Sequence, residues 1–425
     1  MNFKASNPIQ LLVLGLFAAS ALFVFSSCEE EIPDGVWIID TDQDYKVTAQ
    51  EAFIQAETGD TIHFKAGTYM FDNQLSIDGK TGIVIRGEGR ENTILDFSGQ
   101  LAGAQGILAD GMDMLVFADF TVQDPAGDGI KLKDSDGVSF VRVGVEYTGT
   151  VSADNGAYGL YPVTSHNILV QDCYVRGASD AGIYVGQTEQ VHVTGCYVTE
   201  CVAGIEIENC INSDVWNNTV ENNTGGILVF DLPTLPVIKN GNTCRVFDNM
   251  ILDNRHINFA PPGNTVGTVP PGTGVMILAF DGVEVFGNTI HGNNVLGVGV
   301  VSYNTLISLD EGSAHTDTEF NPYVYNVSIH DNDFQRGAYP ADPNFIGFIL
   351  AGIYDAGGHE PDVVYDGDLD AASSDPVVCV SGQSDYQFLN VDAINEFTDI
   401  VEGDADYQCN LAPLPVTVID APVYN

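Results

Sequence analysis

Residues 181–230 read AGIYVGQTEQVHVTGCYVTECVAGIEIENCINSDVWNNTVENNTGGILVF, and the placing of their glycines decides the fold. GIYVG at 182, GIEIE at 204 and GILVF at 226 each set a glycine before an alternating apolar run, 22 residues apart. The motif extends backwards as GLYPV at 159 and GIKLK at 129, and forwards as GVMIL at 274 and GVGVV at 297. Spacings along the series are 30, 23, 22, 22, 48 and 23 residues, so most units are near constant in length and two carry insertions. A second short strand follows in each unit: VSFVRV from 138, NILVQD from 167, QVHVTG from 190, SDVWNN from 213, CRVFDN from 244, GVEVFG from 282 and NVSIHD from 326. Alternation of period two buries one face of each strand. A unit this short cannot cover that face alone and needs stacked neighbours. The expected architecture is all-β, a single-stranded right-handed parallel β-helix in which each unit is one coil.

A second register supports the stacking. After the second strand, equivalent positions hold Val143, Cys173, Cys196, Asn218, Asn249, Asn288 and Asn332. Four asparagines at one inward turn predict an amide ladder, each side chain bonded to the coil above. Cys173 and Cys196 share the ladder and read as small buried fillers. Near the start, Thr48 with Glu51 has the pattern of a capping box. Ala52, Phe53 and Ala56 follow as an apolar helical face that would plug the open end of the stack.

The chain divides on this reading into a signal peptide at 1–27, a tether and incoming strand at 28–47, the β-helix at 48–354, and an acidic C-terminal cap or tail at 355–425. The apolar run Leu11 to Phe25, after Lys4, is about fifteen residues, short of the ~20 that span a bilayer. Phe25-Ser-Ser-Cys28 resembles the lipobox of bacterial lipoproteins, which implies a lipid on Cys28 and a place in the cell envelope, at the outer membrane on its periplasmic or surface side. Export permits disulfides, and Cys379 and Cys409 in the tail are the candidate pair. Lys+Arg number 14 against 59 Asp+Glu, a net charge of -45 that argues against nucleic acid as a partner. It is compatible with calcium, which takes oxygen ligands. The 44% hydrophobic content argues against wholesale disorder.

On GASDAGIYVGQ from 177, GIEIEN from 204 and NTGGILVFDLP from 223, the region from about 154 to 304 resembles a family of bacterial parallel β-helix repeat lipoproteins. More loosely it resembles the pectin-lyase-like superfamily, which includes polysaccharide lyases and alginate epimerases. That second resemblance implies carbohydrate chemistry by analogy of fold alone.

Outward residues of the glycine-led strand form two columns. One runs Lys131, Tyr161, Tyr184, Glu206, Leu228, Met276, Gly299; the other runs Lys133, Val163, Gly186, Glu208, Phe230, Leu278, Val301. Lys131, Lys133, Arg142 and Arg176 gather four of the fourteen basic residues into 131–176 and suggest an anion site. A uronate lyase or C5-epimerase needs a cation for the carboxylate, a base for the C5 proton and an acid opposite. Lys131 or Lys133 would be the base, Tyr161 or Tyr184 the acid, and Arg142, Arg176 or calcium the neutralising cation. Glu206, Glu208 and Asp231 would be the calcium ligands, with His166, Asp180, Glu206 and Phe230 contacting substrate. A two-carboxylate glycosidase through Glu206 and Glu208 is a variant of the same idea. The structural alternative is a solvated sheet face, its lysines paired with acids and its tyrosines stacked. A non-catalytic module binding a glycan or an envelope protein is the competing function. No HExxH, GxGxxG or phosphate loop occurs. Leu228, Phe230, Met276 and Leu278 are expected to lie under the insertions that begin at 232, 255 and about 303.

Overall fold

Each coil is a three-strand turn of the chain. In the coil that starts the diagnostic stretch, Ala181–Gly186, Glu189–Thr194 and Tyr197–Thr199 lead back to Ala203–Glu208 one storey up. The strands are in register, with Ile183 beside Ile205 and Val185 beside Ile207. This computed structural model describes residues 34–309, 311–312, 314–340, 342–373, 377–383 and 385–424. The signal peptide and Cys28 lie outside the described residues. The β-helix belongs to the unit Gly35–Asn425.

Among the described residues the strands form three sheets, two of twelve strands and one of ten. The first sheet holds the glycine-led strands from Asn73–Asp78 to Phe388–Asn390, paired in parallel. The second runs from Val36–Ile39 to Val378–Ser381, and the third, of short strands, from Gly67–Met70 to Asp333–Gln335. One continuous apolar column fills the coil, with Ile183, Val185, Val191, Val193 and Val198 each 0% exposed.

The recurring glycine has a steric cause. A Cβ on Gly182 would lie 2.4 Å from Cγ1 of Val198, and one on Gly204 would lie 2.2 Å from Cγ1 of Val220. The start of the first sheet therefore crosses the third sheet too closely for any side chain. Corners between the second and third sheets put Asp119, Asp172, Asp248 and Asp331 in left-handed backbone, at φ 61, 53, 53 and 54°. Short polar side chains tolerate that region, which accounts for part of the acidic composition.

The amide ladder forms. Nδ2 of Asn218 donates to Oδ1 of Asn249, Asn249 to Asn288, and Asn288 to Asn332, each at 3.0 Å. The backbone N–H of Cys196 donates to Oδ1 of Asn218 at 2.9 Å, so Cys196 sits in the ladder as a buried filler. A second ladder links Cys201, Asn223, Asn254 and Asn293 where the third sheet turns into the first.

The N-terminal helix spans Tyr45–Gln55 and buries Ala49, Ala52 and Phe53. Its cap is Asp44, not Thr48: the helix starts a turn early, and the Thr48 hydroxyl donates back to Asp44 O at 3.0 Å. At the other end, the boundary drawn at 355 falls inside the helix Phe345–Gly357, and the sheets continue through Val363–Tyr365, Val378–Ser381 and Phe388–Asn390. Those strands lack the glycine spacing because helix and loops separate them. Val401–Glu402 closes the first sheet with an antiparallel pairing. Cys379 and Cys409 are disulfide-bonded, with Cα atoms 4.9 Å apart.

Beyond Cys409 the chain turns back as an extended strap over the second sheet. Leu414 N donates to Glu284, Thr417 N and Oγ1 to Asp214, and Asp420 N to Asn167. Ser139 Oγ donates to Pro422 O at 2.6 Å, and the Arg142 guanidinium lies 5.6 Å from the Tyr424 ring.

Candidate functional site

The outer face of the first sheet changes character along the helix. At Leu228, Phe230, Met276 and Leu278 it is 0–3% exposed, covered by Val266, Val269, Leu306 and Phe320 from the insertions. The expected cover is therefore present, and Phe230 is walled off from the surface instead of facing a ligand. Towards the N-terminus the cover thins, and Asp128, Lys131, Tyr158 and Tyr161 are half-buried. The candidate site is this step.

Three tyrosines line it. Ring centroids of Tyr158 lie 4.5 Å from those of both Tyr161 and Tyr184, and Tyr161 and Tyr184 are 5.0 Å apart. The Lys131 ammonium stands 4.3 Å from the Tyr161 ring centroid, a cation–π contact. Behind them sit Asp180, Glu206 and Glu208, at 6, 2 and 7% exposure. Tyr184 donates its hydroxyl to Glu208 Oε1 at 2.6 Å. The tip of the second insertion reaches over, Asn264 Nδ2 donating to Asp180 Oδ2 at 2.9 Å. Oε2 of Glu206 is buried and makes no hydrogen bond.

Desolvation governs the protonation of this group. Burial, then the charge of Glu208, pushes Asp180 up to about 7, against the opposing bond from Asn264. Burial pushes Glu208 up to about 7 although the Tyr184 bond pulls the other way. Glu206 goes well above the carboxylate range, by burial and then by its neighbours Asp180 and Glu208. Burial lifts Tyr161 to about 12. The cluster thus holds protons at neutral pH, and the three carboxyls share them.

The other expected members lie elsewhere. Lys133 pairs with Asp110 at 2.6 Å, and that bond raises its pKa, the wrong direction for a base. Arg142 sits at the corner after the second sheet, bonded twice to Asp119 at 2.6 and 2.9 Å. Arg176 is on the third sheet, bonded to Glu200 at 2.7 Å and to the carbonyls of Tyr147 and Gly149. His166 opens a strand of the second sheet and lies 3.7 Å from Glu189. Closeness in sequence misled here, because one coil visits three faces within 22 residues. The calcium set does not assemble either. Both oxygens of Asp231 accept from Gly241 N, and Glu208 is taken by Tyr184. Among the described residues no group of three or more His, Cys, Asp or Glu is arranged to hold a metal ion.

Asp128, Tyr158 and Asn264 were not foreseen as site residues. Asp128 and Tyr158 stand immediately before the recurring glycine, and Asp128 accepts from Tyr158 N at 3.3 Å on the next coil. The glycine turns inward, so the residue before it faces out, and that signal was legible. Asn264 lies in an insertion that has no repeat to place it.

Residues 60–254 match the family model described as right handed beta helix region. No curated protein matches the chain. An alginate lyase from a Paenibacillus species superposes with a TM-score of 0.45 and 14% identity, over 72% of this chain and 99% of its own. The A-module of a mannuronan C-5 epimerase from Azotobacter vinelandii gives 0.43 and 15%, over 72% and 85%. A DFA-IIIase from Arthrobacter chlorophenolicus gives 0.43 and 13%, over 78% and 92%. These three resemblances are of fold. The three sheets of parallel strands and the match of residues 60–254 make the fold a right-handed parallel β-helix.

Proposed function

We propose that the chain binds and modifies a polysaccharide at the step on the first sheet, using Asp180, Glu206 and Glu208 to move protons. One observation carries the reading: the three carboxyls are buried together, and Asp180 and Glu208 are raised to about 7. Near neutral pH such a group offers a protonated acid and an ionised base at once, the division of labour that glycosidic cleavage asks of a carboxyl pair. The half-buried Tyr161 face and Lys131 would position the sugar beside it.

A second reading, uronate elimination or C5 epimerisation, draws on the Lys131–Tyr161 pair. Lys131 would meet the uronate carboxylate, an ionised member of the Asp180–Glu208 pair would take the C5 proton, and Tyr161, kept protonated by burial, would serve as the acid. The test is a panel of alginate, pectate, glycosaminoglycans, neutral glucans and amino-sugar polymers. Reducing ends, ultraviolet absorbance of unsaturated uronates and C5 proton exchange by NMR are followed together. Turnover that falls at least a hundredfold in Glu208→Gln supports the proposal. Binding without turnover across the whole panel would leave a glycan-binding scaffold and sink the catalytic part.

Export and lipid anchoring through Cys28, at the outer membrane, are proposed on the signal-like run and Phe25-Ser-Ser-Cys28. Labelling with a palmitate analogue tests this: a label unchanged in Cys28→Ser would refute it. An envelope protein is the partner expected if no glycan binds.

A further inference from the structure

The charges around the step narrow the ligand. Asp128, Asp180, Glu206, Glu208 and Asp231 all lie on or beside it, each with a pKa raised by burial. Among the described residues no Lys, Arg or His forms an ion pair with any of the five. Lys133, on the same sheet, is taken by Asp110, while Arg142 and Arg176 lie on other faces and pair with Asp119 and Glu200. Lys131 remains, and its ammonium rests on the Tyr161 ring with Asp128 as its charged neighbour. A polyuronate would add negative charge beside carboxyls that already hold protons, whereas an ammonium would draw a proton off and pair with the carboxylate left behind.

Two further observations point to a cation as the wanted group. Glu206 Oε2, on a side chain 2% exposed, makes no hydrogen bond, so the cluster has an acceptor to spare. A buried acceptor without a donor carries a desolvation cost that a ligand donor would recover. The tyrosine triad adds ring faces, and Lys131 shows that one of them already receives an ammonium. Carboxylates beside aromatic faces are the environment that recognises an alkylammonium group.

We propose that the sugar bound at this step carries a free amino group, so that the substrate class is a polysaccharide containing deacetylated hexosamine. The inference rests on the first reading above, that this step is a polysaccharide site. The ligand ammonium donates to Glu206 and its neighbours, and the sugar ring lies on Tyr161. Asn264, bonded to Asp180 from the tip of the insertion, yields to admit it.

The test is isothermal titration calorimetry of the intact protein at pH 7 with three oligosaccharides of matched length. These are a glucosamine oligomer, its N-acetylated counterpart and an oligoalginate. The expected result is one-to-one binding of the glucosamine oligomer, at least tenfold tighter than of either of the others. Because the whole surface is acidic, Glu206→Gln is measured beside the surface change Glu57→Gln. The first is expected to lose at least tenfold and the second to leave binding unchanged. Equal loss in both, or loss in neither, would show general charge attraction and overturn the inference. Tighter binding of the acetylated oligomer or the alginate would overturn it while leaving a polysaccharide site in place. No binding of any of the three would remove the site reading itself.

Discussion

Asp214 on the second sheet and Glu206 on the first are each 2% exposed, yet their surroundings are opposite. Asp214 accepts from Arg245 Nε at 2.9 Å and from Arg245 Nη2, and from Thr417 N and Oγ1 of the strap at 3.3 and 3.1 Å. Glu206 has no cation and an oxygen with no donor. One buried carboxylate is solved within the chain, and the other is left open. The lesson is that burial of an acid does not mark a site; what marks it is burial without a partner.

The largest effect should come from breaking the solved side. Asp214→Ala leaves Arg245 and the strap without their acceptor and is expected to cost about 3–5 kcal/mol in urea unfolding. In Glu206→Gln the same measurement should change by less than about 1 kcal/mol, or rise, since an amide sheds the desolvation penalty. Equal losses would end the contrast. Cys379→Ser with Cys409→Ser opens a loop of sequence separation 30, worth about 3.6 kcal/mol in the chain-entropy account. The loss should show as early fraying of the last coil and strap in hydrogen exchange, while the step on the first sheet stays protected.

The pH dependence sharpens the comparison further. Asp180 and Glu208 have folded values of about 7, above their ordinary 3.8 and 4.5, so the native state holds protons that the unfolded chain has released. Their contribution to stability is therefore complete below pH 4 and is lost as pH rises towards 7, at about 1.4 kcal/mol per pH unit for each group. Thermal melts from pH 4 to 8 should flatten in an Asp180→Asn, Glu208→Gln variant; an unchanged slope would refute the assignment. Tyr184→Phe removes the bond that lowers the Glu208 value, so the Glu208 titration should move upward by NMR, with a cost of about 1–2 kcal/mol. The smallest effect is Thr48→Ala, expected within about 0.5 kcal/mol because Thr48 is not the helix cap.

Legibility followed periodicity. The glycine-led repeat sets the register, and it is this register that puts Lys131, Tyr161, Tyr184, Glu206 and Glu208 on one face of the first sheet. Arg142 and Arg176 were wrongly joined to it, because linear distance says nothing about which of three faces a residue meets. The four stacked asparagines were visible as one column. The second column, through Asn223, Asn254 and Asn293, was equally periodic and went unread. The insertion carrying Asn264 has no period, and its landing on Asp180 depends on apolar contacts of Val266 and Val269 made across coils.

Sequence alone determined the coil, its length, its glycines and its inner amide ladder, because each arises from contacts between one coil and the next, repeated at a fixed interval. Tertiary structure alone decided which carboxyls found partners. The strap that returns over 14 residues from Leu411 to Tyr424 to engage Asp214, and the insertion that reaches Asp180 while Glu206 is left without a donor, both act at long range. Pairing of a buried charge depends on what arrives in space, and no local pattern encodes that arrival.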